Sequence, residues 1–207
     1  MAKRQMPSVP ASTGPGPSQS SDHKRPARSG WNTSDSGPWT DYGDHAGSVG
    51  PLRGSKGTFE AGVRVPMLER WRGRLPAGRI VGAPAMTIDV MPMVARLAGA
   101  DIPSGVDGAD LWPLLAGEAQ GGTHETLYFF WGRQLQAVRQ GRWKLHRSHD
   151  YKDVVQPGSG GTPGKAVTSR TEESLFDLEA DIGERHDVDA SHPEVVSRLK
   201  DAAGRAP

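Results

Sequence analysis

Apolar residues return at helical intervals in two stretches of this 207-residue chain and alternate with polar ones in several others. Val90, Met91, Met93, Val94, Leu97 and Ala98 form an i, i+3, i+4, i+7 stripe, which predicts a helix with Asp89 as its cap, Pro92 in the first turn and Gly99 as its stop. Val195, Val196 and Leu199 behind Pro193 predict a closing helix. A short helical turn is expected in DGADLWPLLAG, Asp107 to Gly117. Alternation predicts strands over Arg64–Trp71, Thr126–Gly132, Arg133–Gln140 and Arg142–Ser148, with Gln140 and Gly141 in the turn between the last two. Trp143 and Leu145 then share one face of their strand, and Lys144 and His146 the other. SLFDLEADIGE, Ser174 to Glu184, reads as one more short strand and a turn.

Three stretches carry neither period. Residues 1–30 set five Lys/Arg against one acid in a Pro/Ser/Gly background, a composition that cannot bury enough surface to offset its ordering entropy. Thr33 to Pro66 is rich in glycine, and a loop of that length commonly wraps a ligand. Residues 150–172 are rich in Gly, Ser and Thr and read as an insertion loop. The expected organisation is a disordered basic leader over 1–32, a loop-rich α/β unit over 33–120, and a small antiparallel sheet with a packed helix over 121–207.

Composition narrows the function. A net charge of +1 points to no nucleic acid or membrane surface as a partner. No stretch approaches the roughly 18 apolar residues that span a bilayer, and no apolar segment follows Lys3 and Arg4 as a signal peptide requires. The absence of cysteine excludes disulfides, thiolate metal sites and a cysteine nucleophile from these residues.

Candidate chemistry concentrates in the glycine-rich loop. Asp35, Asp41 and Asp44 are oxygen donors suited to a hard cation, and equally ordinary turn and cap residues. Lys56, set between glycines in GSKG, can neutralise an anion that the backbone approaches closely, or can be a solvated surface lysine. His45 is a candidate general acid or ligand, or a polar loop residue. Glu60 and Arg64 can pair. The six tryptophans read as mainly structural, with Trp39 also placed to line a pocket.

The order of motifs resembles the sulfatases, the arylsulfatase-type branch of the alkaline phosphatase superfamily. TSDSGPW is similar to T-S-D-N-G-P, and GSVGPLRGSKGTFEAGVRVP to G-x-x-G-x-L-R-x-x-K-G-[ST]-x-[FWY]-E-G-G-x-R-x-P, with one residue fewer between Thr58 and Glu60. DVMPMVARLAGA, DGADLWPLLAG, QAVRQGRWKLH and SLFDLEADIGERHDV resemble the later family motifs in the family's order, over about residues 33–200. The resemblance implies the C-terminal part of an alkaline-phosphatase-like α/β fold followed by a small antiparallel sheet with a packed helix. It also implies hydrolysis of a sulfate ester, on a small molecule or a sulfated glycan. The family's nucleophile is a formylglycine made in a C/S-x-P-S-R motif, assisted by Ca²⁺ and by Lys/His residues that stabilise sulfate charge. By the same resemblance Asp35 matches a metal-ligand aspartate, Lys56 the sulfate-contacting lysine, and His45 stands in a variable loop as a further candidate for substrate contact. Ser36 stands where the family has a metal-ligand Asn, and a hydroxyl is a shorter, weaker ligand than an amide oxygen. Ala61 replaces the first glycine of E-G-G.

The nucleophile motif and the paired aspartate ligands lie upstream of these motifs in the family, and residues 1–32 do not resemble them. SVPAS, Ser8 to Ser12, has the S-x-P start but Ser12 where arginine is required. The expectation is therefore a sulfatase fragment with part of the Ca²⁺ and sulfate site, no nucleophile and no turnover by itself. Its alternatives are a non-catalytic module for sulfated or other anionic ligands, and a phosphoesterase of the same superfamily.

Overall fold

The computed structural model describes residues 29–207. Its elements run β1 (Ser29–Asn32), α1 (Glu60–Val63), β2 (Leu68–Trp71), α2 (Val90–Ala98), α3 (Trp112–Ala116), β3 (Leu127–Trp131), β4 (Gln134–Gln140), β5 (Trp143–His146), β6 (His149–Gln156), β7 (Lys165–Thr171), β8 (Ser174–Asp177) and α4 (Pro193–Ala203). The main sheet is antiparallel in the order β3-β4-β5-β8, and β1 with β2 and β6 with β7 form separate two-stranded sheets. The leader expected over 1–32 lies outside the described residues except for its end, which forms β1 and pairs Ser29 with Trp71 and Asn32 with Leu68. That pairing accounts for the strand predicted from Arg64, which begins only at Leu68.

The two faces of the main sheet follow the alternation read in the sequence. Val138, Leu145 and Leu175 are register partners across β4, β5 and β8, and they pack on Val195, Leu199 and Ala202 of α4. Burying this set of aliphatic side chains supplies the apolar drive for the C-terminal half. A second cluster joins Met93 of α2 to Leu111, Trp112 and Leu114 around α3, with Trp71 edge-on to Trp112 at 5.7 Å.

Three local expectations are corrected. Residues 150–172, expected as an insertion loop, mostly form the β6–β7 hairpin, with Tyr151 opposite Ser169 and Asp153 opposite Val167. Only its tip carries the glycine-rich composition that suggested a loop; the arms hold β-branched and aromatic residues that pair across strands. Asp89 does not cap α2 with its side chain. It is fully buried and accepts hydrogen bonds from Met86 N (2.9 Å), Ala109 N (2.9 Å), Thr123 Oγ1 (2.6 Å) and His124 Nε2 (2.6 Å), which tie the segments before α3 and before β3 to the start of α2. The apolar stripe of α2 is also only partly covered: Met93 is buried and Leu97 packs, whereas Met91 is 42% and Val94 51% exposed. α2 does stop at Gly99, and α4 does start at Pro193.

The second face of the sheet, the one with Lys144 and His146, is buried under the glycine-rich loop. Lys144 is completely buried, and its ammonium lies 3.0 Å from both Glu60 Oε1 and Glu184 Oε1. Glu184 also accepts the backbone N–H of Glu60 at 2.6 Å and lies 2.8 Å from His146 Nε2. Arg139, the register partner of Lys144, adds a contact to Glu60 Oε2 at 3.4 Å, and Arg64 reaches the same oxygen at 3.7 Å. Phe59 stacks on the His146 ring at 4.5 Å, and the Arg53 guanidinium lies 4.2 Å from the centre of the Phe59 ring. Charges out of water are tolerated here because each has a partner in hydrogen-bonding range.

Burial pushes the His146 imidazole down to about 4, against the hydrogen bond to Glu184 that favours its charged form. Burial also opposes ionisation of Glu184, but the Lys144 ammonium and His146 outweigh it and hold the carboxyl below its ordinary range.

Removing the central cation leaves two buried carboxylates facing each other. Lys144→Met is expected to cost about 3–5 kcal/mol in urea unfolding, as breaking a buried pair does. Arg170→Ala, which removes an exposed contact to Asp150 and Glu172, leaves the urea midpoint nearly unchanged, because water screens such a pair. Acid acts on the same cluster. The unfolded His146 imidazole takes its proton near 6.5 and the folded one near 4, so the unfolded chain binds the extra proton between those values. Stability is therefore expected to fall as pH drops from about 6.5 toward about 4, with Glu184 adding a loss of the same sign as pH falls below its unfolded range. Urea midpoints measured at pH 7, 6 and 5 check this, and a flat profile would contradict it.

Candidate functional site

Both arms of the glycine-rich loop close on α1. Gly37 N donates to Gly62 O at 2.9 Å, and a Cβ on Gly37 would lie 1.6 Å from the carbonyl oxygen of Ala61, so no side chain fits there. The buried Ser55 hydroxyl accepts from Thr40 N at 3.1 Å and donates to Pro38 O at 3.3 Å, joining the two arms once more. Thr58 Oγ1 donates to Gln136 Oε1 at 3.0 Å, and with Phe59 and Glu60 it anchors the second arm on the sheet. Lys56 is thereby held at a fixed point between the anchored residues Ser55 and Thr58.

The structure brings Lys56 and Ser36 together, with the ammonium donating to Ser36 Oγ at 2.8 Å. Among the described residues Lys56 has no carboxylate partner, although it is half-buried. Its Nζ lies 6.0 Å from the ring centre of Trp39, which is 48% exposed. Asp35 is exposed, and the Ser34 hydroxyl is its hydrogen-bond partner at 3.4 Å.

The three loop aspartates go to separate partners. Asp41 is buried and pairs with Lys152 on β6. Asp44 lies 2.8 Å from His45 Nδ1 and accepts the Gly160 amide at 3.2 Å. No group of three or more His, Cys, Asp or Glu able to hold a metal ion occurs among the described residues. His45 faces the tip of the β6–β7 hairpin, with Nδ1 3.2 Å from the Gly161 amide and 2.8 Å from Asp44 Oδ1, and these polar partners do not include Lys56 or Ser36.

The hairpin is the part of the site that the sequence concealed. Its tip clamps the segment Thr40–His45: the amides of Gly158 and Gly164 both donate to Asp41 O at 2.8 Å. Gly43 turns there with φ +56°, and a Cβ on it would sit 1.8 Å from Gly158 O. Lys152 reaches back to within 5.6 Å of the Trp39 ring centre, so that ring has an ammonium from each of two elements near it. In the sequence the Gly, Ser and Thr residues of the tip and of β7 mask the two arms.

Comparison with known proteins shows what the chain is related to. The family described as the C-terminal region of aryl-sulfatase matches residues 122–206, and that described as N-sulphoglucosamine sulphohydrolase, C-terminal, matches residues 55–157. Steryl-sulfatase of Mus musculus is 42% identical over 178 residues, covering 77% of this chain and 28% of that protein. Arylsulfatase A of Bos taurus is 36% identical over 183 residues, covering 81% of this chain and 35% of that protein. The chain thus spans about a third of the length of these relatives. Among solved structures, the PsFucS1 sulfatase from Pseudoalteromonas sp. superposes with a TM-score of 0.66 at 22% identity over 84% of this chain and 36% of that one, a likeness of fold. Ps i-CgsB does so at 0.61 and 26% identity, over 84% and 35%. The motifs in sequence, the two family matches and the shared fold agree, and the chain belongs to the sulfatase family, matching its C-terminal region.

Proposed function

We propose that this chain supplies the sulfate-binding side of a sulfuric ester hydrolase site, with Lys56 as the residue that holds a sulfate oxygen. The observation that carries this reading is the Lys56 ammonium: half-buried, anchored through its neighbours, and bonded to a neutral hydroxyl in place of a carboxylate. Exchanging the Ser36 hydroxyl for an anionic oxygen turns a neutral acceptor into a charged one, and such bonds are roughly twice as strong. The ligand class is a sulfate ester on a small molecule or a glycan. Sulfate is preferred to phosphate because the relatives named above are sulfatases.

The 207 residues contain no C/S-x-P-S-R run, so nothing in them matches the family's nucleophile. We therefore assign these residues binding and orientation of the sulfate rather than attack on sulfur. A sulfated-ligand module without turnover rests on the same observation and differs only in whether hydrolysis ever occurs at the site.

The family's Ca²⁺ is a separate question. Asp35 is a single exposed carboxylate, and the Ser36 hydroxyl already takes the Lys56 ammonium. A dication on that hydroxyl would sit against the ammonium and be repelled by it, so the donors present do not make a calcium site by themselves, and no step is assigned to the ion.

Three outcomes are expected of the full chain. Inorganic sulfate perturbs the amide signals of Gly54–Gly57 in a titration followed by NMR, and Lys56→Ala abolishes the perturbation while leaving the main-sheet signals in place; an unchanged titration in the variant would remove Lys56 from the site. In the same samples 4-nitrophenyl sulfate releases no nitrophenol, and release that survives purification and is lost in Lys56→Ala would show that the chain carries its own nucleophile. Millimolar CaCl₂ leaves the melting temperature within about 1 °C, whereas a ligand bound at well below that concentration would raise it by mass action.

A further inference from the structure

Trp39 is an exposed aromatic side chain beside the Lys56 ammonium. Other tryptophans are also exposed, Trp31 at 42% and Trp131 at 59%, but Trp39 differs in its surroundings. Its ring centre lies 6.0 Å from the Lys56 ammonium and 5.6 Å from that of Lys152, and Tyr42 meets it edge-on at 5.8 Å. The backbone just beyond it is held from two directions, by the Gly158 and Gly164 amides on Asp41 O and by the Ser55 hydroxyl on Thr40 N. Lys152 is neutralised by Asp41, which leaves Lys56 as the ammonium near this ring that has no carboxylate partner among the described residues. Anchoring the backbone beside the indole lowers the entropy lost when a second ring packs on it.

We infer that Trp39 is the platform for the ring that carries the sulfate: the ligand is a ring-bearing sulfate monoester, aryl or pyranosyl, whose sulfate sits on Lys56 while its ring packs on the indole. The inference rests on the sulfate reading of Lys56. Stacked or edge-on ring pairs have centroids about 4.5–7 Å apart, the same scale as the 6.0 Å that separates the indole centre from Lys56 Nζ. One ester can therefore engage both groups, and the β6–β7 hairpin contributes to ligand choice by fixing the platform without touching the ester.

The test uses the full chain and four ligands titrated by NMR: inorganic sulfate, methyl sulfate, 4-nitrophenyl sulfate and N-acetylglucosamine 6-sulfate. At least one ring-bearing ester is expected to bind about three- to tenfold tighter than methyl sulfate, in line with the usual worth of a ring pair. Trp39→Ala removes that advantage and leaves methyl sulfate within about twofold of wild type, and Trp39→Phe restores part of it. The ring with the larger advantage tells aryl from sugar esters. Equal binding of all esters by the wild type, or a uniform loss in Trp39→Ala, overturns the platform while leaving Lys56 as a sulfate contact. Lys56→Ala is read separately: if it leaves inorganic sulfate binding unchanged, the sulfate reading fails, and the platform as placed here fails with it.

Discussion

The glycine-rich loop stays where it is because Lys144 sits between Glu60 and Glu184. A fully buried ammonium with two carboxylates at 3.0 Å draws together three segments distant in sequence: the second arm of the loop, strand β5 and the turn after β8. Glu184 then does more than pair. It receives the amide of Glu60 at 2.6 Å, and its own backbone is forced to φ +49°, an unusual conformation for a residue with a side chain. That conformation is held because the carboxylate has nowhere else to go once Lys144 and His146 have claimed it. The cluster is costly to desolvate, and replacing it with apolar residues of the same volume could equal its stability. Its contribution here is specificity of position, since an apolar patch would not tell the loop where to stop along the sheet.

From that anchor the rest of the site follows by short steps. Phe59 lies on His146, Thr58 bonds Gln136, and the chain between Gly54 and Gly57 is left to turn outward with Lys56 on it. The first arm of the loop is laid against the second through contacts that only a glycine at 37 permits. The hairpin of β6 and β7 closes the far side and fixes Trp39. The two hydrophobic cores play a supporting part, with α4 holding the sheet from behind and α3 holding α2. The exposed Met91 and Val94 on α2 continue a stripe whose other members are covered.

Much of this was legible in the one-dimensional pattern. The strands β3, β4, β5 and β8 and the helices α2 and α4 fall where period and punctuation place them, because each has an apolar side that needs one partner surface; β3, β4 and α2 also run into a glycine, and α4 begins at a proline. The family resemblance reached further than periodicity, since it rests on motif order, and two residues it singled out, Lys56 and Ser36, lie 2.8 Å apart in the fold. Periodicity also placed Lys144 and His146 on the face opposite Trp143 and Leu145. The fold buries both of these polar residues completely, because their partners Glu60 and Glu184 arrive from elsewhere in the chain.

The sequence by itself thus determined most of the elements and the family, because those depend on local spacing and on the identity of side chains along short stretches. Only the tertiary structure decided which polar residues are buried, that the three loop aspartates part company, and that a glycine-rich tip belongs to a hairpin clamped on Asp41. The reason is physical: a charge can be buried only where the opposite charge arrives from elsewhere in the chain. The partners of Lys144, at positions 60 and 184, are 84 and 40 residues away, a separation no local pattern records.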